Sequence, residues 1–364
     1  MIDNAILKSD ERAILTLRSI YKQYGYMPYK MSKFEEYDFY IKNKDFLLSD
    51  RIITFNDTNG KLLALKPDVT LSIIKNADDT PGTKHKVYYN ENVYRVSGSS
   101  GQYKEIMQTG VECVGDIGIY DIYETIMLAA KSLEAISENF VLDISELDIL
   151  KEALGAACDD DVFKKDAIKC IKEKNAHDLE KLALKYGVSV EAKDRLTAYA
   201  SISGRLCDVI PELEKLADGT GSKAIAELKL LSSLLGDKYS KKIMFDFSVI
   251  NDMDYYSGVV FRGFIDGIPG CVLAGGRYDK LLSKMGKLGA AIGFAIYLDK
   301  IESIGKRSDY DVDILLICSD DTPPELIAGR VLSYTESGKT VSVQKCIPKK
   351  LRYRELITIG GEKQ

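Results

Sequence analysis

Two extended runs, Val87–Val96 and Glu105–Val114, constrain this chain more than any other feature. The polar, glycine-bearing loop Ser97-Gly98-Ser99-Ser100-Gly101-Gln102 separates them. Both read as long strands of one hairpin, and a lone hairpin is marginal in water, so the rest of the chain must build a sheet around them. Polar residues sit inside these runs. Gln108 and Glu112 stand four apart in Glu105-Ile106-Met107-Gln108-Thr109-Gly110-Val111-Glu112, which puts both on one strand face. Arg95 closes the preceding run and reaches the same groove across the hairpin. A guanidinium, an amide and a carboxylate on one face suit a zwitterion, with its carboxylate toward Arg95 and its ammonium toward Glu112. An ordinary half-solvated sheet face carries the same residues, and ion pairs there contribute under ~1 kcal/mol. Spacing alone leaves both readings open.

The surrounding elements follow from periodicity and punctuation. A helix capped by Ser9 carries Ala13, Ile14, Leu17, Ile20, Tyr21 and Tyr24 at helical spacing and ends at Gly25. Ile52–Phe55 and Leu62–Leu65 flank the turn Asp57-Thr58-Asn59-Gly60 as a second hairpin. A helix is predicted over 121–136, and residues 145–240 read as a helical insertion rich in Ala, Lys, Glu and Leu. Strands return over 243–250, 258–265 and 271–274. A short helix over 278–285 and a last apolar helix from about Ala290 to Ile304 come next. The tail alternates: strand 312–318, helix 323–335, then strands 340–343 and 356–360. This order predicts an α+β fold, an antiparallel sheet flanked by helices over 1–306, with a small α/β appendage over 307–364.

Composition removes several function classes. The 364 residues carry a net charge of −5, so the chain as a whole is not steered toward phosphate backbones. Two histidines and seven cysteines without a Cys-x-x-Cys pair argue against metal centres, disulfide frameworks and Ser-His-Asp catalysis. Neither a P-loop nor a Gly-x-Gly-x-x-Gly dinucleotide fingerprint is present. No cofactor is expected. The longest apolar runs fall short of a membrane span and the N-terminus lacks a signal-peptide pattern, so the expected location is the cytoplasm.

Three further stretches carry chemistry and a blander alternative each. Lys66-Pro67-Asp68-Val69-Thr70 offers a carboxylate and a hydroxyl, or simply a turn and a helix cap. Asn251-Asp252-Met253-Asp254-Tyr255-Tyr256-Ser257-Gly258 offers carboxylates and phenols, or tyrosines split between core and surface. Gly275-Gly276 marks a close backbone approach, to a ligand or to a packed strand.

Taken in order, six segments resemble the histidyl-tRNA synthetase lineage of class II synthetases. They are Leu65–Thr70, Val93–Arg95, Gln108–Glu112, Met253–Tyr256, Ala274–Asp279 and Ile292–Ala295. The resemblance spans roughly residues 5 to 305. It implies a six- or seven-stranded antiparallel sheet and dimerisation through the segment around Tyr24 to Glu36. It also implies a histidine site made of Asp68, Thr70, Arg95, Gln108, Glu112, Tyr255 and Tyr256. Asp68 stands where the lineage's synthetases carry glutamate, one methylene longer.

The lineage has an enzymatic branch that adenylates histidine and a silent branch that regulates ATP phosphoribosyltransferase. Adenylation needs fixed cations around the α-phosphate. Where the enzymatic pattern has Arg-x-Glu, this chain reads Arg95-Val96-Ser97. The loop arginine aligns with Gln102 and the catalytic arginine with Asn251. The terminal Gly-Leu-Glu-Arg reads Tyr297-Leu298-Asp299-Lys300. Each lost donor costs roughly 10²–10³ in rate, so the resemblance implies the silent branch, with no catalytic residues. Only about 54 residues follow Asp311, against around a hundred in the enzymatic branch's anticodon-binding domain, which implies no tRNA partner. The implied partner is a short-form ATP phosphoribosyltransferase catalytic subunit, the implied effector histidine, and the implied assembly a hetero-octamer built on dimers.

Overall fold

In the computed structural model, the structure describes residues 7–44, 47, 52–78, 80–96, 101–217, 219–250, 255–301 and 309–359. The chain divides into two compact units, Met1–Ile304 and Gly305–Gln364.

The strands of the first unit are β1 (Met27–Pro28), β2 (Phe34–Glu36), β3 (Thr54–Asn56), β4 (Leu62–Leu65), β5 (Lys84–Val96), β6 (Tyr103–Gly115), β7 (Phe140–Glu146), β8 (Ser203–Arg205), β9 (Ile243–Asp246), β10 (Val259–Ile265), β11 (Leu273–Arg277) and β12 (Ala290–Tyr297). Among the described residues, nine of them form one sheet in the order β1-β5-β6-β12-β11-β10-β7-β9-β8. The pairings are antiparallel except β1 with β5 and β7 with β9. The sheet is thus wider than the expected six or seven strands, and two of its strands, β1 and β8, have only two and three residues at its edges. β2, β4 and β3 form a separate three-stranded antiparallel sheet. The expected hairpin around Asp57–Gly60 is its β3–β4 turn, with Asp57 Oδ1 accepting from the Asn59 and Lys61 amides at 2.8 Å each.

The helices are α1 (Ser9–Gln23), α2 (Tyr37–Lys42), α3 (Thr70–Asn76), α4 (Ile119–Ile136), α5 (Leu147–Ala157), α6 (Asp161–Lys172), α7 (Ala176–Lys185), α8 (Val190–Ser201), α9 (Leu206–Ala217), α10 (Ser222–Tyr239), α11 (Asp279–Lys284) and α12 (Leu298–Ile301). Ser9 does not cap α1 but begins it. The cap role falls to Lys8, whose amide donates to Glu11 Oε2 at 2.9 Å.

Strand alternation splits the core between the two sheet faces. Val111 and Cys113 of β6 join α1 and α4, where the Tyr21 hydroxyl meets Ser132 Oγ at 3.1 Å inside the larger cluster. Val114 of β6, with Val87 and Tyr89 of β5, joins α3 and α11 in the second cluster on the opposite face. Burying an apolar side chain such as Leu128, fully enclosed on α4, stabilises by roughly 1.5–3 kcal/mol.

Two further expectations are corrected. Residues 290–297 form the strand β12, not a helix, and only the single turn α12 follows. Its all-apolar run carries no periodicity, because a strand buried on both faces gives up the alternation that would identify it. The 145–240 segment is also more than a helical insertion. It contributes β8, which pairs antiparallel with β9, and its side chains Phe163, Leu196 and Leu228 belong to the same core as the sheet.

The second unit holds β13 (Val312–Cys318), α13 (Pro324–Glu336), β14 (Val341–Gln344) and β15 (Tyr353–Ile359) as a parallel sheet in the order β14-β13-β15. Central β13 buries Ile314, Leu315 and Leu316 completely.

Candidate functional site

β5 and β6 pair without a break from Lys84↔Gly115 to Val96↔Tyr103. Their alternation sends Tyr89, Gln108 and Glu112 to the face opposite α4, and β12 continues that face by pairing Gly293 with Glu112 and Tyr297 with Gln108. A pocket of about 770 Å³, its open mouth included, lies over this surface, a size that takes an amino-acid-sized ligand. All seven predicted residues line it: Asp68, Thr70, Arg95, Gln108, Glu112, Tyr255 and Tyr256.

Glu112 occupies the closed end and is 2 % exposed. Thr70 Oγ1 donates to its Oε1 at 2.8 Å, and the Tyr278 hydroxyl donates to its Oε2. Burial pushes the carboxyl up to about 8, although both hydroxyl bonds pull it back. Gly293 makes this position possible, since a Cβ there would lie 1.8 Å from Glu112 Oε2. Gln108 is also buried.

Asp68 combines both readings of its stretch. Its Oδ1 accepts from the Leu71 amide at 3.0 Å, opening α3, while the carboxylate faces the pocket. Burial raises it above the usual carboxylate range, opposed by the Leu71 amide and the Arg95 charge. Arg95 Nε donates to the Pro67 carbonyl at 3.0 Å, tying the end of β5 to the Asp68 turn.

Tyr255 and Tyr256 stack edge-to-face with ring centroids 4.6 Å apart, and Tyr278 lies 6.0 Å from Tyr255. Both phenols stay neutral because burial raises them. The glycine pair serves packing. A Cβ on Gly275 would stand 2.3 Å from the Gly293 carbonyl, and one on Gly276 would stand 2.8 Å from the Tyr256 ring.

Of the lining residues outside the predicted set, Tyr89, Tyr278, Gly293 and Tyr297 bear most on the site. Tyr89 shares the strand alternation of Arg95, which could have found it. Tyr278 sits in the Ala274–Asp279 segment. Gly293 required knowledge of which strand faces Glu112.

The opposite end of the pocket holds Tyr297, where the enzymatic pattern has glycine. Lys300 Nζ donates to the Cys271 carbonyl at 2.6 Å and lies 5.4 Å from the Tyr297 ring centre. Gln102 is exposed. Ser97 and Asn251 lie outside the described residues. Among the described residues, no group of three or more His, Cys, Asp or Glu side chains could hold a metal ion, and no helix is long and apolar enough to cross a membrane.

The chain is 28 % identical over 306 residues to the ATP phosphoribosyltransferase regulatory subunit of Ruminiclostridium cellulolyticum, covering 81 % of this chain and 72 % of that protein. Its fold is similar to the ATP phosphoribosyltransferase regulatory subunit/histidyl-tRNA synthetase from Bacillus halodurans, with a TM-score of 0.76, 22 % identity and coverage of 98 % and 95 % of the two chains. It is also similar in fold to a chain of the ATP phosphoribosyl transferase complex from Thermotoga maritima, with a TM-score of 0.63, 20 % identity and coverage of 79 % and 97 %. A family model described as histidyl-tRNA synthetase matches residues 5–301, the length that carries both cores and the pocket, and the chain belongs to that family.

Proposed function

We propose that this chain is the regulatory subunit of an ATP phosphoribosyltransferase and performs no chemistry of its own. It activates a short-form catalytic subunit and makes it respond to histidine in the first step of histidine biosynthesis. The observation that carries this reading is the contrast within one pocket. All seven residues expected around an amino acid line it, while Tyr297 stands where the enzymatic pattern has glycine and Lys300 donates to a backbone carbonyl. A lysine there keeps the charge but lacks the planar fork of arginine. The names of the Ruminiclostridium relative and of the Thermotoga complex support the partner.

Histidine binds with its carboxylate toward Arg95 and its cationic groups toward Glu112 and Asp68. At neutral pH the buried Glu112 carboxyl carries a proton, which leaves as the ligand's positive charge arrives. Regulation is then linkage: histidine favours one state of the complex, with a coupling of ~1–3 kcal/mol typical of such control. Dimers of this chain, joined around Tyr24 to Glu36, build a cytoplasmic hetero-octamer with four copies of each subunit, without tRNA.

The test mixes this chain with a short-form catalytic subunit from the same organism and follows phosphoribosyl-ATP formation. Activity is expected only in the mixture, and histidine is expected to suppress it. A chain that changes neither rate nor histidine response overturns the reading. Histidine-dependent ATP–pyrophosphate exchange by the chain alone would make it a histidine–tRNA ligase instead.

A further inference from the structure

Arg262, in the middle of β10, is a guanidinium that takes no part in the contacts around Glu112, Asp68 and Arg95. The pairings Arg262↔Ala274 and Ala274↔Ala295 place it on the sheet face of Glu112, one step along from the Gly276↔Gly293 row that ends on that carboxylate. It is half-buried. Register also sets it opposite Asp143 of β7, yet no ion pair joins the two. Among the described residues its guanidinium makes no hydrogen bond or ion pair at all. Asp143 neighbours Asp246, which pairs with Lys174 at 2.5 Å, and it feels the charges of both Lys174 and Arg262 through space, with no hydrogen bond drawing the Arg262 fork to it.

The side chain instead lines a narrow recess with Tyr256, Ala274 and Gly275, the same three residues that line the main pocket. Between Arg262 and Arg95 the pocket floor is paved by Ala274 and Ala295, whose short side chains leave the surface open. Arg95 is already engaged through Nε at the Pro67 carbonyl. Arg262 has its whole fork available. A guanidinium partly withdrawn from water is costly unless an anion completes it, and its paired donors match a carboxylate.

We propose that Arg262 is a specificity-determining residue that anchors the carboxylate of the amino-acid ligand, which lies over Ala274 and Ala295 between Arg262 and Arg95. The assignment rests on the reading of the pocket as an amino-acid site. It makes the pocket select an amino acid over an analogue that keeps the imidazole and ammonium groups but lacks the carboxylate.

The experiment titrates histidine and histidinol, its hydroxymethyl analogue, calorimetrically into the full chain and into Arg262→Gln and Arg262→Lys. The wild-type chain is expected to prefer histidine. Arg262→Gln is expected to weaken histidine by roughly 10- to 100-fold, the worth of a charge-assisted contact, while histidinol affinity stays within about twofold. Arg262→Lys is expected to recover part of the loss. A Gln variant that keeps the wild-type preference, or that weakens both ligands alike, overturns the assignment. A wild-type chain that binds neither ligand overturns the reading of the pocket, and this assignment falls with it.

Discussion

The two ends of the pocket are built on opposite principles. At the Glu112 end a carboxyl is taken out of water and surrounded by hydroxyls from Thr70 and Tyr278, with Gly293 leaving space for it. At the Tyr297 end the cations are turned to the protein's own carbonyls: Arg95 donates to Pro67 and Lys300 to Cys271. The first arrangement holds a preorganised polar group where a ligand can reach it. In the second, Lys300 is held by the Cys271 carbonyl and Arg95 keeps only part of its fork for the pocket, whereas transition-state stabilisation requires donors aimed at the developing charge.

The contrast breaks most readily at Glu112. Glu112→Ala is expected to lower histidine affinity at least ~100-fold and to leave two buried hydroxyls unpaired, at about 1–3 kcal/mol each. Calorimetric titration and thermal melting check the two effects. An Ala variant that still binds histidine would place recognition outside this end. Gly293→Ala tests the same carboxylate from the facing strand. The new methyl would stand 1.8 Å from Oε2, so Glu112 must shift, with an expected cost of about 1–3 kcal/mol for overpacking and weakened histidine binding. Unchanged melting would show that the strand yields at little cost.

Titration sharpens the comparison with a smaller effect. Glu112 and Glu146 are both pushed up to about 8 by burial, from 4.5. A carboxyl raised in the folded state holds its proton where the unfolded chain has lost it. Stability is therefore highest below about pH 4.5 as far as these groups are concerned, and falls as pH rises toward 8. The unfolding free energy should decline across pH 5.5 to 8.5 more steeply than in Glu112→Gln, by up to about 3 kcal/mol at the ~1.4 kcal/mol per pH unit of one proton, and denaturant melts at each pH read it. A profile that does not respond to Glu112→Gln would remove the carboxyl from this role. The smallest expected effect is at the other end. Tyr297→Gly combined with Lys300→Arg should not produce histidine-dependent pyrophosphate exchange above background, since the positions of Gln102 and Asn251 still lack arginine. Measurable exchange would mean that the nucleotide end was two substitutions from function.

The site was more legible than the sheet. Residues four apart in a strand share a face whatever surrounds them, so Gln108 and Glu112 were paired from spacing alone. The order of the six segments then brought in Asp68, Thr70, Tyr255 and Tyr256. β12 reads as a helix in the sequence because a central strand buried on both faces shows no alternation. The strand β8 inside the helical segment is three residues long, too short for any periodic signal to register.

By itself the sequence determined the hairpin β5–β6, the α+β class, the shared face of Gln108 and Glu112 and, through the order of its six segments, seven of the side chains around the pocket. These depend on local periodicity and on residue identity. Only the tertiary structure decided that Gly293 lies opposite Glu112, that Tyr278 closes on that carboxylate, that Lys300 rests on Cys271 and that Arg262 lines a recess beside Tyr256. Each of these is a cross-strand or cross-loop neighbour relation, fixed by register between segments far apart in the chain. Register is set by the packing of whole faces against one another, which no single stretch of sequence contains.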